Sequence, residues 1–259
     1  MKEQRIIKHI INWLKNYSKE SSTKGFVIGI SGGIDSAVTS VLAAKTNLPL
    51  ICLEMPILQQ KEHKKRSKEH IDFLKKEYPN VRSVEVELTD VFLKFKSCIG
   101  NLECDENLSK LSLANCRARL RMTTLYYYAQ INNFLVLGTG NKVEDFGIGF
   151  FTKYGDGGVD ISPIADLLKT EVYCLGETLG ICSSILEAEP SDGLWDDKRT
   201  DRDQIGASYS ELEWAMNFDN KSKITARQKI VLEIYRKLNN TNKHKMKQIP
   251  VCVIPDKIK

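Results

Sequence analysis

The sequence has no apolar run long enough to cross a membrane and no pattern of paired cysteines. Its apolar stretches, such as Phe134–Leu137, fall far short of the roughly 18 residues that span a bilayer, and the charged N-terminus is not followed by the apolar segment of a secretory signal. The seven cysteines are scattered without a Cys-x-x-Cys pair, which indicates neither a disulfide framework nor a zinc site. We therefore expect an untargeted, soluble protein of the reducing cytoplasm.

A strong charge of one sign is also lacking. Lys and Arg number 38 against 33 Asp and Glu, a net charge of +5, which is less than a dedicated nucleic-acid-binding protein usually carries. An anionic small molecule suits this balance equally well, and we expect neither a nucleic acid nor a membrane as partner. At roughly 150 residues per domain, we expect the 259 residues to form a single domain over 1–259.

Strands and helices alternate along the first half of the chain. Short apolar runs predict strands within Gly25–Ile30, Leu48–Met55, Val81–Val86 and Phe134–Leu137, and helical periodicity predicts helices from Ile6, from Ala37, over Lys61–Glu77 and over Ser109–Ile131. This alternation is typical of an α/β protein with a parallel sheet covered on both faces and ligands at the carboxyl ends of its strands. Further helical patterns follow around Thr170–Leu179, Asp203–Met216 and Thr225–Leu238.

A glycine loop, Gly29-Ile-Ser-Gly-Gly-Ile-Asp-Ser36, joins the first predicted strand to a helix. In that setting backbone N–H groups and the helix dipole cradle phosphate. The loop contains neither Gly-x-x-x-x-Gly-Lys-Ser/Thr nor Gly-x-Gly-x-x-Gly, so the usual kinase-type and dinucleotide fingerprints are absent. Asp35 is placed to hold Mg²⁺ against the phosphates. The alternative is an ordinary strand-to-helix turn built from small residues.

The Ser-Gly-Gly-x-Asp-Ser pattern resembles the loop of the adenylating ATP pyrophosphatases, the PP-loop superfamily, which cleave ATP between its α and β phosphates. Four further motifs resemble those of the NAD synthetase family, in the same order: NCRARLRM at 115–122, GTGNKVE at 138–144, GFFTKYGDGGVD at 149–160 and EPSD at 189–192. The resemblance covers the chain from about Tyr17 to Lys245. It implies a Rossmann-like, doubly wound parallel sheet of the adenine nucleotide α-hydrolase type with extra C-terminal helices.

The resemblance also implies an activity, that of an amide-forming ligase at the last step of NAD biosynthesis. In this family ATP adenylates the nicotinate carboxylate of deamido-NAD with release of pyrophosphate, and ammonia then displaces AMP to give NAD, with Mg²⁺ bound at the phosphates. Members that use glutamine carry an additional amidase domain with a cysteine nucleophile. The synthetase pattern occupies this whole sequence, so we expect free ammonia as the nitrogen donor and no amidase domain.

Site residues follow from the resemblance position by position. ATP would contact the glycine loop and four later residues: Gly29, Ile30, Ser31, Gly32, Gly33, Ile34, Asp35, Ser36, Gln60, Thr139, Lys169 and Ser191. Deamido-NAD would contact Arg119, Lys153, Asp160, His244 and Lys245. The metal would bind Asp35 and Glu144, and the catalytic set would be Asp35, Lys153 and Lys169. Tyr17, Asn115 and Gln60 are weaker transfers than the rest.

The second metal ligand is open between two neighbours. This chain has one more residue between the Gly-Thr motif and Lys153 than the commonest family spacing. Glu144 keeps the family's distance from Thr139, whereas Asp145 keeps the distance from Lys153.

The arginines of the NCRARLRM helix cannot all serve one ligand. Arg117 and Arg121 share a helix face, while Arg119 points about 200° away from Arg117. Taken alone, such a helix more often presents a solvated face, and His244 and Lys245 would be exposed charge in a basic tail.

Two rival functions remain open from the sequence. One is another adenylating enzyme of the same fold, such as a tRNA thiolase, a lysidine synthase or the synthetase half of GMP synthetase. The other is a nonenzymatic adenine-nucleotide sensor, which would need the glycine loop but not Asp35, Glu144, Lys153 and Lys169 together.

Two physical expectations complete the sequence analysis. The long helix Ser109–Ile131 carries apolar and aromatic residues all round, which with the resemblance predicts a homodimer whose deamido-NAD pocket crosses the subunit boundary. These residues are Leu111, Leu113, Leu120, Met122, Leu125, Tyr126, Tyr127 and Tyr128.

The five glycines between Gly147 and Gly158 predict a mobile lid over Gly147–Asp160 that closes on substrate, although a fixed loop of tight turns is the alternative.

Overall fold

A parallel β-sheet forms the centre of the molecule. The computed structural model describes residues 2–59, 61–100, 104–191, 193, 199–219 and 223–258. Within these residues the sheet has four strands in the order β3-β2-β1-β4, all parallel: β1 Phe26–Gly29, β2 Leu50–Glu54, β3 Val81–Glu85 and β4 Leu135–Val136. The strand order reverses between β1 and β4, so a crevice opens at their carboxyl ends, where ligands bind in such sheets.

Helices cover both faces of this sheet and extend beyond it. They are α1 Glu3–Glu20, α2 Ile34–Ala44, α3 Lys61–Glu77, α4 Thr89–Ile99, α5 Glu106–Asn132, α6 Lys169–Thr178, α7 Ser183–Leu186, α8 Asp201–Ile205, α9 Tyr209–Met216 and α10 Ala226–Met246. A short π-helix spans Val143–Ile148 and a 3₁₀ turn spans Asp256–Ile258. No helix in the described ranges is both long and apolar enough to span a membrane.

Three apolar clusters hold these elements together. The largest packs α1, α2 and α6 on one face of the sheet, with Leu14, Phe26 and Leu175 fully buried. The second packs α4 and α5 on the opposite face around Val27 and Ile51. The third joins the π-helix to α9 and α10, away from the sheet. The strands alternate their apolar side chains between the first two clusters because successive residues of a strand point to opposite faces.

The strands and the doubly wound α/β class predicted from the sequence are confirmed, and α3 has the predicted bounds. Four elements were not predicted: α4, α7, the π-helix and the 3₁₀ turn. α4 was missed although Val91, Phe92, Phe95 and Ile99 recur at helical spacing, and only Phe92 of them is buried. The π-helix was missed because Gly147 falls within its six residues. The predicted helix Asp203–Met216 is two helices, since Gly206, with φ +85°, ends α8 in the left-handed region.

Candidate nucleotide-binding cleft

A cleft of about 280 Å³ opens at the carboxyl ends of β1, β2 and β4. Most of the residues predicted to contact ATP or metal line it together: Gly29, Ile30, Ser31, Gly32, Gly33, Ile34, Asp35, Ser36, Thr139, Glu144, Lys169 and Ser191. These residues come from four separate stretches of the chain. The parallel sheet brings them to one edge because every strand ends there.

The glycine loop forms a tight turn that exposes the start of α2 to the cleft. Gly32 has φ +80°, and a Cβ there would lie 2.9 Å from the carbonyl oxygen of His63, so only glycine fits without strain. Ser31 and Ser36 brace the turn: the Ser36 hydroxyl donates to the Gly33 carbonyl at 3.0 Å, and the Gly33 N–H donates to the Ser31 hydroxyl at 3.2 Å. The first N–H groups of α2 have no partner within the helix, which makes this end of α2 suited to an anion.

Lys169 lies between two carboxylates at the floor of the cleft. Its ammonium donates to Asp35 Oδ2 at 2.5 Å and to Glu144 Oε1 at 3.0 Å, and its side chain is only 5% exposed. Although burial favours the neutral amine, Asp35 and Glu144 outweigh it and raise the pKa of Lys169, so the side chain is a cation at neutral pH.

Asn141 fixes the position of Asp35 relative to the start of the π-helix that carries Glu144. Its side-chain amide donates to Asp35 Oδ1 at 3.2 Å, while its carbonyl oxygen accepts from the N–H groups of Val143 and Glu144 at the start of the π-helix. Asn141 is fully buried. It belongs to the GTGNKVE motif, which was singled out in the sequence without a role for this residue.

Carboxyl groups outnumber basic groups in the lining of the cleft. Its acidic residues include Asp35, Glu144, Asp145, Asp156 and Asp201. Lys169 pairs with two of them, Asp35 and Glu144. Burial raises the pKa of Asp35 and of Asp156, and burial with the charge of Glu144 raises the pKa of Asp145 to about 8. Burial would also raise the pKa of Glu144, but Lys169 and the hydrogen bond from Tyr209 outweigh it and lower that pKa.

Glu144 and Asp145 both line the cleft but occupy different positions in it. Glu144 belongs to the Asp35–Lys169 cluster. Asp145 lies beside Gly140, where a Cβ would meet its carboxylate oxygen at a separation too short for any side chain. Only glycine at position 140 leaves room for this carboxylate. The geometry therefore groups Glu144 with Asp35 and Lys169 and gives Asp145 a separate place beside Gly140.

The residues predicted to contact deamido-NAD do not line this cleft, and four of them form a neighbouring patch. Arg119 donates to the Lys153 carbonyl at 3.3 Å, Lys153 donates to the His244 carbonyl at 3.1 Å, and Lys245 follows in the chain. Asp160 is held separately, accepting from the Tyr126 hydroxyl at 3.0 Å and from the Val136 N–H at 2.8 Å.

The predicted lid is fastened to α10 by hydrogen bonds. The Lys245 ammonium donates to the carbonyls of Gly149 and Phe151, both at 2.8 Å, and two asparagines of α10 donate to the carbonyls of Gly147 and Ile148. In this structure these bonds hold the loop against α10, and closure of the loop on substrate stays a prediction. Any opening of the loop has to break these bonds or carry the end of α10 with it.

Three weaker transfers have different outcomes. Gln60 lies outside the described residues. Tyr17 is 37% exposed and stacks against Trp13 at 5.7 Å between ring centroids, away from the cleft lining. Asn115 accepts a hydrogen bond from the Thr152 hydroxyl at 2.6 Å and so supports the glycine-rich loop.

Several residues at the cleft were missed by the sequence analysis. Arg121 donates to the Met55 carbonyl at 2.9 Å and to Gln59 Oε1 at 3.1 Å, which ties α5 to the loop after β2. The remaining missed lining residues include His63, Arg66, Asp156 and Asp201. The opposed directions of Arg119 and Arg121 agree with the helix geometry, which is the signal that could have separated their roles. The sequence around Asp201 carries no motif of a binding site, because its pattern is that of a helix start.

Comparison with known proteins gives consistent results. The family model described as NAD synthase matches residues 6–249. An NH₃-dependent NAD⁺ synthetase from Mesoplasma florum is 41% identical over 215 residues, covering 82% of this chain and 84% of the relative. Among solved structures, an NMN synthetase from Francisella tularensis is 33% identical with a TM-score of 0.85 and covers 99% of both chains. An NH₃-dependent NAD synthetase from Campylobacter jejuni is 25% identical with a TM-score of 0.77, covering 98% of this chain and 100% of that one.

Proposed function

The chain belongs to the NAD synthase family, and we propose that it joins ammonia to the nicotinate carboxylate of deamido-NAD at the expense of ATP, as a carbon–nitrogen ligase. One observation carries this proposal: the glycine loop and the Asp35–Lys169–Glu144 cluster meet in one cleft at the strand-order reversal. A nucleotide sensor would need the loop alone. A buried ammonium between two carboxylates beside the loop is suited to charge developing on a phosphate.

The chemistry requires a leaving group, because ammonia cannot displace oxide from a carboxylate. A carboxylate oxygen of the substrate attacks the α-phosphorus of ATP, the bond to the β-phosphate oxygen breaks, and pyrophosphate leaves. The nitrogen of ammonia then attacks the acyl carbon, the bond to the AMP oxygen breaks, and a proton is lost from nitrogen. The products are the amide and AMP.

The residues of the cleft divide this work between them. The N–H groups at the start of α2 and of the glycine loop would hold the departing phosphates. Lys169, a cation with a fixed position, would stabilise negative charge as the α-phosphorus reacts. Thr139 and Ser191 line the same cleft and offer hydroxyl groups to the nucleotide.

The floor of the cleft suits Mg²⁺. Asp35 and Glu144 supply hard oxygen donors, and the carboxylates there outnumber the ammonium that pairs with them. In the described part of the chain no three acidic, His or Cys side chains are grouped closely enough to hold a metal by themselves. Mg²⁺ in nucleotide sites ordinarily uses one or two carboxylates together with phosphates and water, and it would neutralise phosphate charge there.

The patch formed by Arg119, Lys153 and the end of α10 is proposed to bind the anionic dinucleotide. It adjoins the cleft through Gly155, which lines the cleft and belongs to the same glycine-rich loop as Lys153. Asp160, fixed by Tyr126 and the Val136 N–H, is proposed to contact the same substrate.

We further propose that residues 1–259 act as one synthetase domain that takes free ammonia. The family match over residues 6–249 is to the synthetase alone. The ATP-dependent reaction also fits a cytoplasmic location, where ATP is abundant.

A second candidate substrate is nicotinate mononucleotide. The observation that favours it is the similarity to the Francisella tularensis NMN synthetase, which covers nearly the whole of both chains. The same two chemical steps would apply, because the carboxylate and its pyridine ring are identical in the two substrates. Only the contacts to the AMP half of the dinucleotide would be dispensable.

A homodimer is proposed from the apolar surface left on α4 and α5. Leu113, Leu120, Leu125, Tyr126 and Tyr128 pack towards the sheet, whereas Leu111 and Tyr127 are 45% and 62% exposed. Large exposed side chains on α4 extend this apolar surface: Val91, Leu93, Phe95 and Ile99. Light scattering at micromolar concentration should give twice the chain mass, and a fully active monomer would contradict the proposal.

One assay tests the function and the substrate together. The purified protein is incubated with ATP, Mg²⁺ and ammonia and with either deamido-NAD or nicotinate mononucleotide, and pyrophosphate and the amide product are followed. We expect the amide to form from deamido-NAD with one pyrophosphate per amide. A higher kcat/KM with the mononucleotide would select the second candidate. Pyrophosphate without either amide would reject both. Glutamine replacing ammonia should give no product.

A further inference from the structure

Tyr209 stands at the edge of the cleft floor with its hydroxyl between two carboxylates. The hydroxyl oxygen lies 2.5 Å from Glu144 Oε1 and 2.7 Å from Asp201 Oδ2. Tyr209 opens α9, where the Ser208 hydroxyl accepts from the Glu211 N–H and fixes the start of the helix. The position of the phenol is therefore set by the main chain of α9, independently of the glycine loop.

The phenol also contacts the cation of the cluster. The Lys169 ammonium lies 4.7 Å from the centroid of the Tyr209 ring, within the range of a cation–π interaction. Glu144 Oε1 consequently receives two hydrogen bonds, one from Lys169 and one from Tyr209. Two donors on one oxygen fix both the position and the rotation of the carboxylate.

A second packing contact secures the element that carries Tyr209. The Glu213 carboxylate, one turn further along α9, accepts from the Thr170 N–H at 3.0 Å and from the Thr170 hydroxyl at 2.8 Å. Thr170 follows Lys169 at the start of α6. These bonds join α9 to the start of α6, which carries Lys169. The phenol of Tyr209 and the ammonium of Lys169 therefore keep fixed positions relative to each other and to Glu144.

We propose that Tyr209 is a positioning residue for the cation site of the proposed reaction. Its hydroxyl holds Glu144 by Oε1 and leaves Oε2 to a divalent cation. A phenol has a single hydrogen, and this role requires that it is donated to Glu144 rather than to Asp201. The inference rests on the proposed function for its Mg²⁺ role but assigns a residue outside every motif quoted above.

The test compares Tyr209→Phe with a matched control, Tyr235→Phe. Tyr235 packs in the same apolar cluster, on α10, and burial raises the pKa of its phenol. Mn²⁺ binding is measured by electron paramagnetic resonance in the presence of a non-hydrolysable ATP analogue. The Mg²⁺ dependence of turnover and the KM for deamido-NAD are measured in parallel.

We expect Tyr209→Phe to weaken Mn²⁺ binding about tenfold and to raise the half-saturating Mg²⁺ concentration by a similar factor, as for other residues that orient a metal ligand. The KM for deamido-NAD and the thermal midpoint should stay close to wild type, and Tyr235→Phe should match wild type throughout. In the Glu144→Gln background, Tyr209→Phe should add less than about twofold, because the residue acts through Glu144.

Three results would overturn the inference. These are unchanged Mn²⁺ binding by a folded Tyr209→Phe protein, an equal loss in Tyr235→Phe, or a Tyr209→Phe protein that does not fold, since the hydroxyl would then serve stability. Failure of the proposed function is distinguishable from these results. Wild type would then form no amide, while the Mn²⁺ measurements would still decide the role of Tyr209.

Discussion

The ammonium of Lys169 lies 2.5 Å from Asp35 Oδ2, although 134 residues separate the two in the chain. Asp35 belongs to the part of the glycine loop that forms the first turn of α2, and Lys169 is the first residue of α6. The two helices pack side by side in the largest apolar cluster. The core of the protein therefore fixes the distance between the phosphate cradle and its cation.

We expect Asp35→Asn and Lys169→Met to have different consequences for stability. Lys169→Met leaves two carboxylates buried without their cation, which should cost about 3–5 kcal/mol in the free energy of unfolding. Asp35→Asn leaves Lys169 paired with Glu144, so it should cost clearly less. Urea unfolding of the two purified variants measures the difference. Equal losses would show that the pair does not govern stability in this region.

Asp35→Asn should nevertheless lose catalysis. Pyrophosphate release should fall about 100-fold or more, because an amide replaces a charged oxygen facing the phosphates. Asp166→Asn is the control, since Asp166 is exposed and pairs with Lys142 at the surface, and this variant should behave as wild type. Near wild-type turnover of Asp35→Asn would remove Asp35 from the metal site.

The choice between Glu144 and Asp145 can be decided by two amide substitutions. Glu144→Gln should raise the half-saturating Mg²⁺ concentration about tenfold or more, since Glu144 and Asp35 both bind Lys169. Asp145→Asn should have the smaller effect on Mg²⁺, because Asp145 lies apart from that pair, beside Gly140. The half-saturating Mg²⁺ concentration is the measurement. A larger shift in Asp145→Asn would reverse the assignment.

The buried pair of His70 and Ser40 predicts a loss of stability in mild acid. His70 is 1% exposed, its Nε2 lies 2.8 Å from the Ser40 hydroxyl, and burial lowers its pKa to about 4. The folded state keeps the ring neutral, while the unfolded chain takes up a proton near pH 6.5. Stability from this group is therefore complete above about pH 6.5 and is lost as the pH falls towards 4.

At about 1.4 kcal/mol per pKa unit, the loss of folding stability due to His70 should approach about 3 kcal/mol at pH 4. Urea unfolding of wild type and His70→Gln at pH 7.5 and pH 4.5 tests this. Wild type should lose about 2 kcal/mol more than His70→Gln over that interval. The exposed residue His9 provides the control, and His9→Gln should lose as much as wild type. Parallel losses in wild type and His70→Gln would contradict the prediction.

Lys245 should control access to the glycine-rich loop. Lys245→Met removes a charged donor from the Gly149 and Phe151 carbonyls, which should lower the cost of opening the loop by about 1.5–3 kcal/mol. Tryptic cleavage after Lys153, followed by mass spectrometry, should become at least about tenfold faster. Lys243→Met, at an exposed position on the same helix, should cleave at the wild-type rate.

The same experiment decides whether the loop acts as a lid. ATP with deamido-NAD should slow cleavage after Lys153 in wild type if the loop closes further on substrate. Identical rates with and without these substrates would show that the loop does not close on substrate and that Lys245 only holds it in place. An unchanged rate in Lys245→Met would show that the bonds to α10 do not hold the loop.

The sequence by itself determined the strands, the glycine loop and the class of fold. Each of these depends on neighbours along the chain: apolar runs for β1 to β4, adjacent glycines between a strand and a helix, and the order of short motifs. Thr139, Glu144 and Lys169, which line the cleft, were predicted from the family resemblance before any contact was known.

Only the tertiary structure decided how the charges of the cleft are paired. The ion pairs of Lys169, the central position of Asn141 and the phenol of Tyr209 join residues from α2, the π-helix, α6 and α9. No local pattern carries this information, because a tyrosine at a helix start looks the same whether it faces solvent or a carboxylate. Packing of distant helices sets these distances, and in a buried cleft those distances decide which charges are stable.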